Sequence, residues 1–163
     1  MKKNRLFWLA AIVGFSLDQI TKIWVVQSFK ELGTTIPLWK DVFHFTYVIN
    51  RGAAFSLFAD NGDWLRWLSL AVTIGLILFG WFSSRLPKWE QLGYGFVLAG
   101  AAGNGLDRFL FGYVVDFLDF RLIQFPVFNI ADICINIGIA FLILTNLPFF
   151  QRSRRPKNGD PKS

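Results

Sequence analysis

Two aspartates, Asp116 and Asp132, are the residues of this chain that most directly suggest chemistry. Each lies at the edge of a segment apolar enough to cross a membrane, where a charged side chain is costly and usually has a functional partner. The candidate partner here is a second acid. Two carboxyl groups in one site share a proton, and aspartic proteases use such a pair to activate water. Whether these two aspartates meet depends on how the apolar segments place them.

The composition is typical of a membrane protein. Of the 163 residues, 53% are hydrophobic and 18% aromatic, and the mean hydropathy is +0.41. Charged residues make up 17%, whereas about a quarter is usual in a soluble domain. We expect one compact membrane domain over residues 1–150. The basic stretch 151–163, rich in Pro, Gly and Ser, is expected to be a disordered cytoplasmic tail.

The basic residues lie at the ends of the chain rather than along a nucleic-acid-binding face. The net charge is +6, with Lys2, Lys3 and Arg5 at the start and a second basic group after position 151. Cations that flank apolar runs are typical of cytoplasmic helix ends, so we expect no nucleic-acid partner. The single cysteine, Cys134, lies in an apolar run and is expected to be a small buried hydrophobe. No internal disulfide and no Cys-based metal site are therefore expected.

Four apolar segments predict an all-α membrane protein with four transmembrane helices. A spanning helix needs about 20 residues, and the segments cover residues 6–26, 67–84, 91–106 and 133–151. The third must extend past Asp107 to cross completely. A signal peptide is the alternative for the first segment, but no small-residue cleavage site ends its apolar core cleanly.

The loop charges predict the orientation of the four helices. Ten of the 17 basic residues lie in the two tails and the 85–88 loop, which the positive-inside rule places in the cytoplasm. Both termini are then cytoplasmic, and the segments 27–63 and 107–128 lie outside.

The outer segment contains a predicted strand. Over residues 43–50 the side chains alternate with a period of two, which is typical of a β-strand. One set is Phe43, Phe45, Tyr47 and Ile49, and the other is His44, Thr46, Val48 and Asn50. We expect a small extracytoplasmic flap that contains β-structure. Its aromatic residues, with Phe55 and Phe58, would either cover the site as a lid or anchor the chain at the membrane interface. His44 is expected to be an exposed strand residue rather than a catalyst.

The polar residues of the apolar segments fall at similar depths. At 1.5 Å per residue, Asp18 lies about 20 Å along the first segment, and Asn104 and Asp107 lie similarly deep in the third. The fourth segment runs inward, which places Asp132 within one turn of the outer surface. Asp116 lies in the connection that precedes it. Polar residues of three helices therefore converge on one layer near the outer face.

Sequence spacing pairs several of these side chains. Asp18 and Lys22 stand at i and i+4 and are expected to form an ion pair. Asn129 and Asp132, at i and i+3, would share a helix face. Structural hydrogen bonds between helices are the alternative explanation for each pair, but they leave the common depth unexplained.

Two further aspartates are not expected to react. The guanidinium of neighbouring Arg108 would keep Asp107 ionised, which gives Asp107 a supporting role. Asp119 follows Asp116 by three residues and is not set within an apolar segment, so we expect it to be solvated. The glycines of the 100–105 stretch indicate close helix packing rather than a phosphate loop, because no strand precedes them.

Five short motifs of this chain resemble those of one family. In chain order they are Asp18-Gln-Ile-Thr-Lys22, Asn50-Arg-Gly-Ala-Ala-Phe-Ser56, Gly103-Asn-Gly-Leu-Asp-Arg108, Val114-Val-Asp-Phe117 and Phe128-Asn-Ile-Ala-Asp132. Their order, the chain length and the four apolar segments are similar to those of the lipoprotein signal peptidases (signal peptidase II). Each motif alone is weak, but the set is specific, and only the two tails and residues 27–46 fall outside it.

The resemblance implies an aspartic endopeptidase of the bacterial cytoplasmic (inner) membrane. Such enzymes cut a prolipoprotein on the N-terminal side of a cysteine that carries a diacylglyceryl group. By motif match, Asp116 and Asp132 would be the catalytic pair. The residues that would line or brace the site are Asp18, Lys22, Asn50, Gly52, Asn104, Asp107, Arg108, Asn129 and Ala131. The implied partners are prolipoproteins and membrane lipids, with no metal or other cofactor and with the chain acting as a monomer.

A small proton relay or transport protein is the main alternative, because it would also bury acids in membrane segments. A relay needs ionisable groups along the whole path, whereas the acids of this chain occupy one layer. A purely structural assembly subunit leaves that layer unexplained. We therefore expect a peptidase in which one carboxylate takes a proton from water while its protonated partner polarises the scissile carbonyl.

Overall fold

The computed structural model describes residues 3–52, 63–123 and 125–147. Its elements, in chain order, are α1 (Arg5–Ser28), β1 (Thr35–Trp39), β2 (Phe43–Asn50), α2 (Asp63–Phe82), α3 (Lys88–Phe111), β3 (Val114–Phe120) and α4 (Ile130–Asn146). The predicted tail 151–163, and Phe55 and Phe58 of the predicted lid, lie outside the described residues.

The helical character of the four apolar segments is confirmed, with bounds that differ by a few residues. α2 begins earlier than predicted and includes Arg66, whose guanidinium carbon lies 6.0 Å from the centroid of the Trp67 ring. α3 extends beyond Asp107, as a full crossing requires. It ends at Gly112, whose φ of +77° is the left-handed conformation that often terminates a helix.

Among the described residues, two helices are long and apolar enough to cross a membrane by length and composition, Arg5–Ser28 and Trp64–Phe82. α4 is apolar but shorter, and α3 carries charged residues near both ends. Only 11% of the most apolar stretch of Trp64–Phe82 is buried within the chain. A helix that is apolar on all sides yet packs little against its own protein needs an apolar solvent, which a bilayer supplies.

α3 is the centre of the bundle and packs against α1, α2 and α4. Its glycines allow the neighbouring backbones to come close. A Cβ atom at Gly95 would collide with the carbonyl oxygen of Phe7 in α1, and one at Gly100 with the carbonyl oxygen of Ala131 in α4. The predicted packing role of the 100–105 glycines is thus confirmed at Gly100.

The strand predicted over residues 43–50 is confirmed as β2, the central strand of an antiparallel sheet with the order β1-β2-β3. Neither β1 nor β3 was predicted as a strand, and Asp116 lies within β3 rather than in an irregular connection. The pairing advances from Phe45↔Leu118 to Val48↔Asp116, so β2 contains one extra residue opposite β3. Such a bulge changes the direction of the side chains beyond it, next to Asp116.

An apolar cluster joins the sheet to the end of α1. Its buried members are Val25, Phe29, Val115, Phe117 and Leu118, and the aromatic residues of β2 pack against them. The cluster packs the sheet against α1. This tertiary packing supports the pairing of β2 with β3, which are distant in sequence. It also anchors β3, and with it Asp116, to α1.

Two predictions about exposure were wrong. His44 is a strand residue as expected, but it is only 5% exposed, and its Nδ1 lies 3.2 Å from Thr35 Oγ1. Asp119 is 8% exposed and accepts hydrogen bonds from Thr46 at 2.6 Å and Arg121 at 2.9 Å. The two residues are opposite each other in the β2–β3 register, so the sheet itself buries both, and sheet pairing was not foreseen.

Candidate active site

Asp116 is held by two amides from different elements. Its Oδ1 accepts a hydrogen bond from Asn129 Nδ2 at 2.7 Å, and its Oδ2 accepts one from Asn50 Nδ2 at 3.1 Å. Asn50 pairs with Val114 in the sheet, so it lies diagonally across from Asp116, within reach of its side chain. The strand pairing therefore fixes the orientation of this carboxyl group.

Asp132 is held at the beginning of α4 by a reciprocal capping interaction. Asn129 Oδ1 accepts from the backbone N–H of Asp132 at 3.0 Å, and Asp132 Oδ2 accepts from the backbone N–H of Asn129 at 3.2 Å. The other carboxyl oxygen, Oδ1, accepts from Asn104 Nδ2 at 2.9 Å. Asn and Asp three residues apart before an apolar run are a capping signature. The sequence analysis interpreted the same spacing only as a shared helix face.

Asn129 connects the two carboxyl groups. It is fully buried, and it donates to Asp116 through its side chain and to Asp132 through its backbone. The same side-chain nitrogen also lies 3.0 Å from Asn104 Oδ1. The structure thus brings the two predicted aspartates to one place, on β3 and α4, through one shared neighbour.

Lys22 forms the centre of a second, deeper cluster. Its Nζ lies 2.9 Å from Asp18 Oδ2, 2.9 Å from Asp107 Oδ2 and 2.9 Å from Asn104 Oδ1. The predicted Asp18–Lys22 ion pair is confirmed. All three charged side chains are at most 4% exposed, and such a buried cation is tolerated only with this complete set of partners.

Asp18 links this cluster to the beginning of α4. Its Oδ1 accepts from the backbone N–H of Ala131 at 2.9 Å, where the helix dipole also favours a negative charge. A Cβ atom at Gly103 would overlap Asp18 Oδ2, so the close approach of α1 and α3 depends on that glycine.

Asp107 forms its ion pair with Lys22, which was not predicted, although the Arg108 guanidinium also interacts with it electrostatically. Its carboxylate contacts Lys22 of α1, the backbone N–H of Val115 at 3.3 Å and Gln19 Nε2 at 3.3 Å. Arg108 points to a different place because adjacent helix residues lie about 100° apart around the axis. Gln19, which also bonds Asp18 at 3.1 Å, was missed although it stands inside the first motif.

Arg108 connects α3 to the loop after β2. Its Nη1 donates to the carbonyl of Asn104 at 3.3 Å, and its Nη2 donates to the carbonyl of Gly52 at 3.1 Å. Gly52 in turn donates its N–H to Asn50 Oδ1 at 2.9 Å. The guanidinium Nε is buried and has no hydrogen-bond partner among the described residues.

One cavity of about 450 Å³ lies against Asp116 and Asp132. Its other polar lining residues are Asn50, Asn104, Arg108 and Asn136. Its apolar lining residues, most of which the sequence analysis did not select, are Val114, Phe125, Pro126, Val127, Phe128 and Ile135. The described apolar wall therefore comes mainly from the 125–128 segment, whereas the β2 aromatics considered as a lid pack against the sheet cluster.

Burial makes Asp116 a weak acid. It is 2% exposed, and desolvation, with a smaller contribution from nearby Asp132, raises its pKa from the ordinary value of 3.8 to about 7. The amide donors of Asn50 and Asn129, and to a smaller extent the charge of Lys22, favour the ionised form and offset only part of this pKa shift. Asp116 therefore keeps its proton over a wider pH range than an ordinary aspartate does.

Comparisons of the sequence with known proteins find relatives in one family. Residues 10–148 match the sequence pattern of the family described as signal peptidase (SPase) II. The chain is similar to the lipoprotein signal peptidase of Gloeothece citriformis, with 68% identity over 163 residues that cover 100% of this chain and 98% of that protein. It is 61% identical to the lipoprotein signal peptidase of Microcystis aeruginosa, over 95% of this chain and 99% of that one.

The fold is also similar to solved structures. One bacterial membrane enzyme superposes with a TM-score of 0.78 at 27% identity, covering 94% of this chain and 93% of its own. A second superposes with a TM-score of 0.74 at 29% identity, over 86% and 91%. Because the match extends over most of the chain in sequence and in fold, this chain belongs to the signal peptidase II family, the lipoprotein signal peptidases.

Proposed function

We propose that this chain is an aspartic endopeptidase that removes the signal peptide from diacylglyceryl-modified prolipoproteins, cutting on the N-terminal side of the lipidated cysteine. Family membership supports the substrate class. The observation that carries the mechanism is the contact of Asn129 with both Asp116 and Asp132 at the wall of one cavity. Two carboxyl groups that share a proton can supply an acid and a base in the same step.

Asp116 holds the shared proton at rest, because its burial and the neighbouring carboxyl raise its pKa to about 7. Asp132 accepts a proton from the attacking water while Asp116 donates a hydrogen bond to the scissile carbonyl. The hydroxide adds to the carbonyl carbon. The C–N bond of the tetrahedral intermediate then breaks, and the proton that Asp132 accepted from water passes to the leaving amine. No covalent intermediate with the protein forms.

Arg108 and the apolar wall act on the substrate. The guanidinium Nε lacks a partner among the described residues and belongs to a side chain that lines the cavity. We assign it to the substrate carbonyl, where a positive donor stabilises the charge that develops on oxygen. The 125–128 segment excludes water from the cavity, which strengthens these electrostatic interactions.

The cluster of Lys22, Asp18 and Asp107 braces the pair. Lys22 and Asn129 both bond Asn104 Oδ1, which leaves Asn104 Nδ2 aimed at Asp132. These supporting residues fix the orientation of the reacting carboxyl groups, and misplacement by about 1 Å can reduce a rate about 100-fold.

We further propose that the chain crosses the bacterial cytoplasmic membrane four times with both termini in the cytoplasm, and that it acts as a monomer. The basic residues at positions 2–5 and 85–88 support this orientation. The cavity then lies near the outer face, at the depth where a membrane-embedded signal peptide ends and the acyl chains of the lipidated cysteine begin.

The test is cleavage of a purified diacylglyceryl-modified prolipoprotein in detergent by the wild type, Asp116→Asn and Asp132→Asn. Each replacement keeps the shape of the side chain and removes its acid–base function. We expect a loss of at least about 1,000-fold in each. The matched control is Asp119→Asn, which changes an aspartate of the same strand outside the cavity and is expected to stay within about twofold of the wild type.

Two results would contradict the proposal. If either Asp116→Asn or Asp132→Asn kept a near-normal rate, the two-aspartate mechanism would be wrong. If the folded wild type failed to cleave the lipidated substrate, the substrate assignment would be wrong. A prolipoprotein with serine in place of the modified cysteine, which cannot carry the lipid, is expected to remain uncut.

A further inference from the structure

A second concave site lies at the opposite end of the helices. Lys88, where α3 begins, is separated from Asn104 by about 24 Å of helix. The cleft has a volume of about 610 Å³. The residues that line this basic cleft are Lys3, Arg5, Leu6, Arg85, Lys88 and Gln91. Four of these six are cations, and the proposed peptidase chemistry uses none of them.

Asn4 ties the start of the chain to the loop between α2 and α3. It is 1% exposed, and its Nδ2 donates to Ser83 Oγ at 3.1 Å and to the carbonyl of Ser84 at 3.3 Å. Its Oδ1 accepts from the backbone N–H of Leu86 at 3.0 Å. The amide of Asn4 therefore fixes Arg5 relative to the loop that carries Arg85.

Gln91 makes the second connection. It is 5% exposed, and its Oε1 accepts from the backbone N–H of Leu6 at 3.1 Å while its Nε2 donates to the carbonyl of Leu86 at 2.7 Å. Two buried amides thus hold the walls of the basic cleft together. The two segments that carry the cations are therefore hydrogen-bonded to each other and are not independent parts of the surface.

The four cations of the basic cleft have no ion-pair partner within the described parts of the chain. Lys3, Arg5, Arg85 and Lys88 form no ion pair with a described carboxylate. The positive dipole ends of α1 and α3 lie at Arg5 and Lys88, whereas the negative end of α2 and the Glu90 carboxylate offset part of the positive potential. The chemistry of the cleft selects an anion.

Exposed aromatic residues place the basic cleft at the level of lipid headgroups. Trp81, Phe82 and Trp89, next to the loop between α2 and α3, are 60%, 78% and 50% exposed. Tryptophan side chains exposed at the ends of apolar helices are typical of the membrane–water interface. The anion available at that level is the phosphate of a lipid, whose acyl chains would lie along the exposed apolar surface of α2.

We infer that the basic cleft binds the phosphate headgroup of an anionic phospholipid from the leaflet opposite the peptidase cavity. The ligand closes the cleft between the N-terminal segment and the α2–α3 loop and neutralises cations that otherwise repel one another. Because a ligand that binds only the folded state stabilises it, the lipid also stabilises the packing of α1, α2 and α3 at this end. This inference concerns lipid binding and does not depend on the peptidase mechanism.

The test measures binding of phosphatidylglycerol and phosphatidylcholine to the purified full chain in detergent, by native mass spectrometry and by thermal unfolding. The wild type is expected to retain phosphatidylglycerol preferentially and to unfold at a higher temperature in its presence. Arg85→Gln/Lys88→Gln is expected to bind phosphatidylglycerol about tenfold more weakly or worse, because each basic residue contributes to headgroup attraction. Lys30→Gln/Lys40→Gln, which removes the same charge from exposed positions outside the cleft, is the matched control and is expected to bind as the wild type does.

Asn4→Ala tests whether lipid binding needs the organised cleft or only its positive charge. It keeps every cation and removes the amide that organises the cleft, so we expect it to lose the preference for phosphatidylglycerol while it remains folded. A parallel titration with inorganic phosphate distinguishes the lipid from a free anion, and we expect millimolar phosphate not to displace the lipid.

Three outcomes would overturn the inference. Equal retention of both lipids by the wild type would show that the cleft does not select an anion. Equal losses in Arg85→Gln/Lys88→Gln and Lys30→Gln/Lys40→Gln would show that only net charge matters. Displacement of the lipid by inorganic phosphate would make the cleft a small-anion site.

Discussion

The site contains two pairs of aspartates that differ in what binds them. Asp18 and Asp107 are both held by a cation, Lys22, at 2.9 Å. Asp116 and Asp132 are held only by amide and backbone N–H donors among the described residues. A cation in an ion pair neutralises a carboxylate, whereas an amide orients it without neutralising it. The Arg108 guanidinium acts on Asp116 and Asp132 electrostatically, without an ion pair. In the proposed mechanism, the same residue type therefore serves as a brace in one pair and as an acid–base group in the other.

Protonation makes the burial of Asp116 tolerable. A buried carboxylate without a cation is costly in the folded state, and Asp116 reduces that cost by keeping a proton up to about pH 7. The braced pair cannot use this route without losing its ion pairs. In the proposed mechanism, the first pair stabilises the site and the second pair reacts.

Removal of the brace should have the largest effect on stability. Lys22→Met leaves Asp18 and Asp107 buried without their cation, and we expect the free energy of unfolding to fall by about 3–5 kcal/mol. Thermal unfolding in detergent measures the change. Lys22→Met/Asp107→Asn should recover part of the loss because it buries one charge fewer. A Lys22→Met protein as stable as the wild type would mean that the ion pairs do not support the site.

Asn129 belongs to both functions, and two substitutions separate them. Asn129→Ser keeps a side-chain acceptor for the cap of α4 but loses the donor to Asp116. We expect its stability to fall less than that of Asn129→Ala, which also loses the cap, worth about 1 kcal/mol. Cleavage should fall at least about tenfold in both, because the carboxyl pair is no longer oriented. Normal cleavage by Asn129→Ser would show that the amide bridge is not needed.

The pH dependence of cleavage tests which pair titrates. The proposed mechanism needs a proton on Asp116, and this proton is lost as the pH rises through about 7. We therefore expect kcat/KM to fall above pH 7 by about tenfold per pH unit. A rate that stayed constant to pH 9 would contradict the assignment of the resting proton to Asp116.

Stability should follow the same group in the same direction. The pKa of Asp116 is higher in the folded chain, about 7, than its ordinary value of 3.8. The folded state therefore binds the proton more tightly, and the stability that it contributes is complete below pH 4 and is lost as the pH rises to about 7. Asp116→Asn should lack this component, so its stability relative to the wild type should increase between pH 4 and pH 8. An unchanged difference in melting temperature would argue against the raised pKa.

The smallest effect is expected at the ion pair of Asp119 with Arg121, in the sheet but outside the cavity. The Arg121 side chain is 40% exposed, and pairs of this kind contribute less than about 1 kcal/mol. Arg121→Gln should therefore shift the melting temperature only slightly and leave cleavage unchanged. A large loss of activity would mean that the edge of the sheet takes part in substrate binding.

Local patterns were sufficient for much of the fold. Hydropathy identified the four helical segments, alternation identified β2, and the i, i+4 spacing identified the Asp18–Lys22 pair. These features depend on neighbours within one or two turns, so the residue order contains them directly. The site residues selected from the five motifs likewise include the polar side chains around Asp116 and Asp132, apart from Gln19, which lies inside the first motif, and Asn136, which lies outside all five.

These local patterns did not predict which side chains contact each other between elements that are distant in sequence. The sequence did not predict the β2–β3 pairing that buries His44 and Asp119, or that Asp107 would bind Lys22 instead of its neighbour Arg108. It also did not predict that the 125–128 segment would form the apolar wall of the cavity. Each depends on contacts between elements far apart in the chain.

The sequence by itself determined which residues are apolar enough to form the membrane helices and which polar residues interrupt them. It also determined family membership, because the motifs are specific as a set. Only the tertiary structure decided that Asp107 shares the cation of Asp18 and that the carboxyl groups of Asp116 and Asp132 lie at one cavity. The physical reason is that the proton affinity of a carboxyl group depends on its burial and on the charges around it, and both are set by elements distant in sequence.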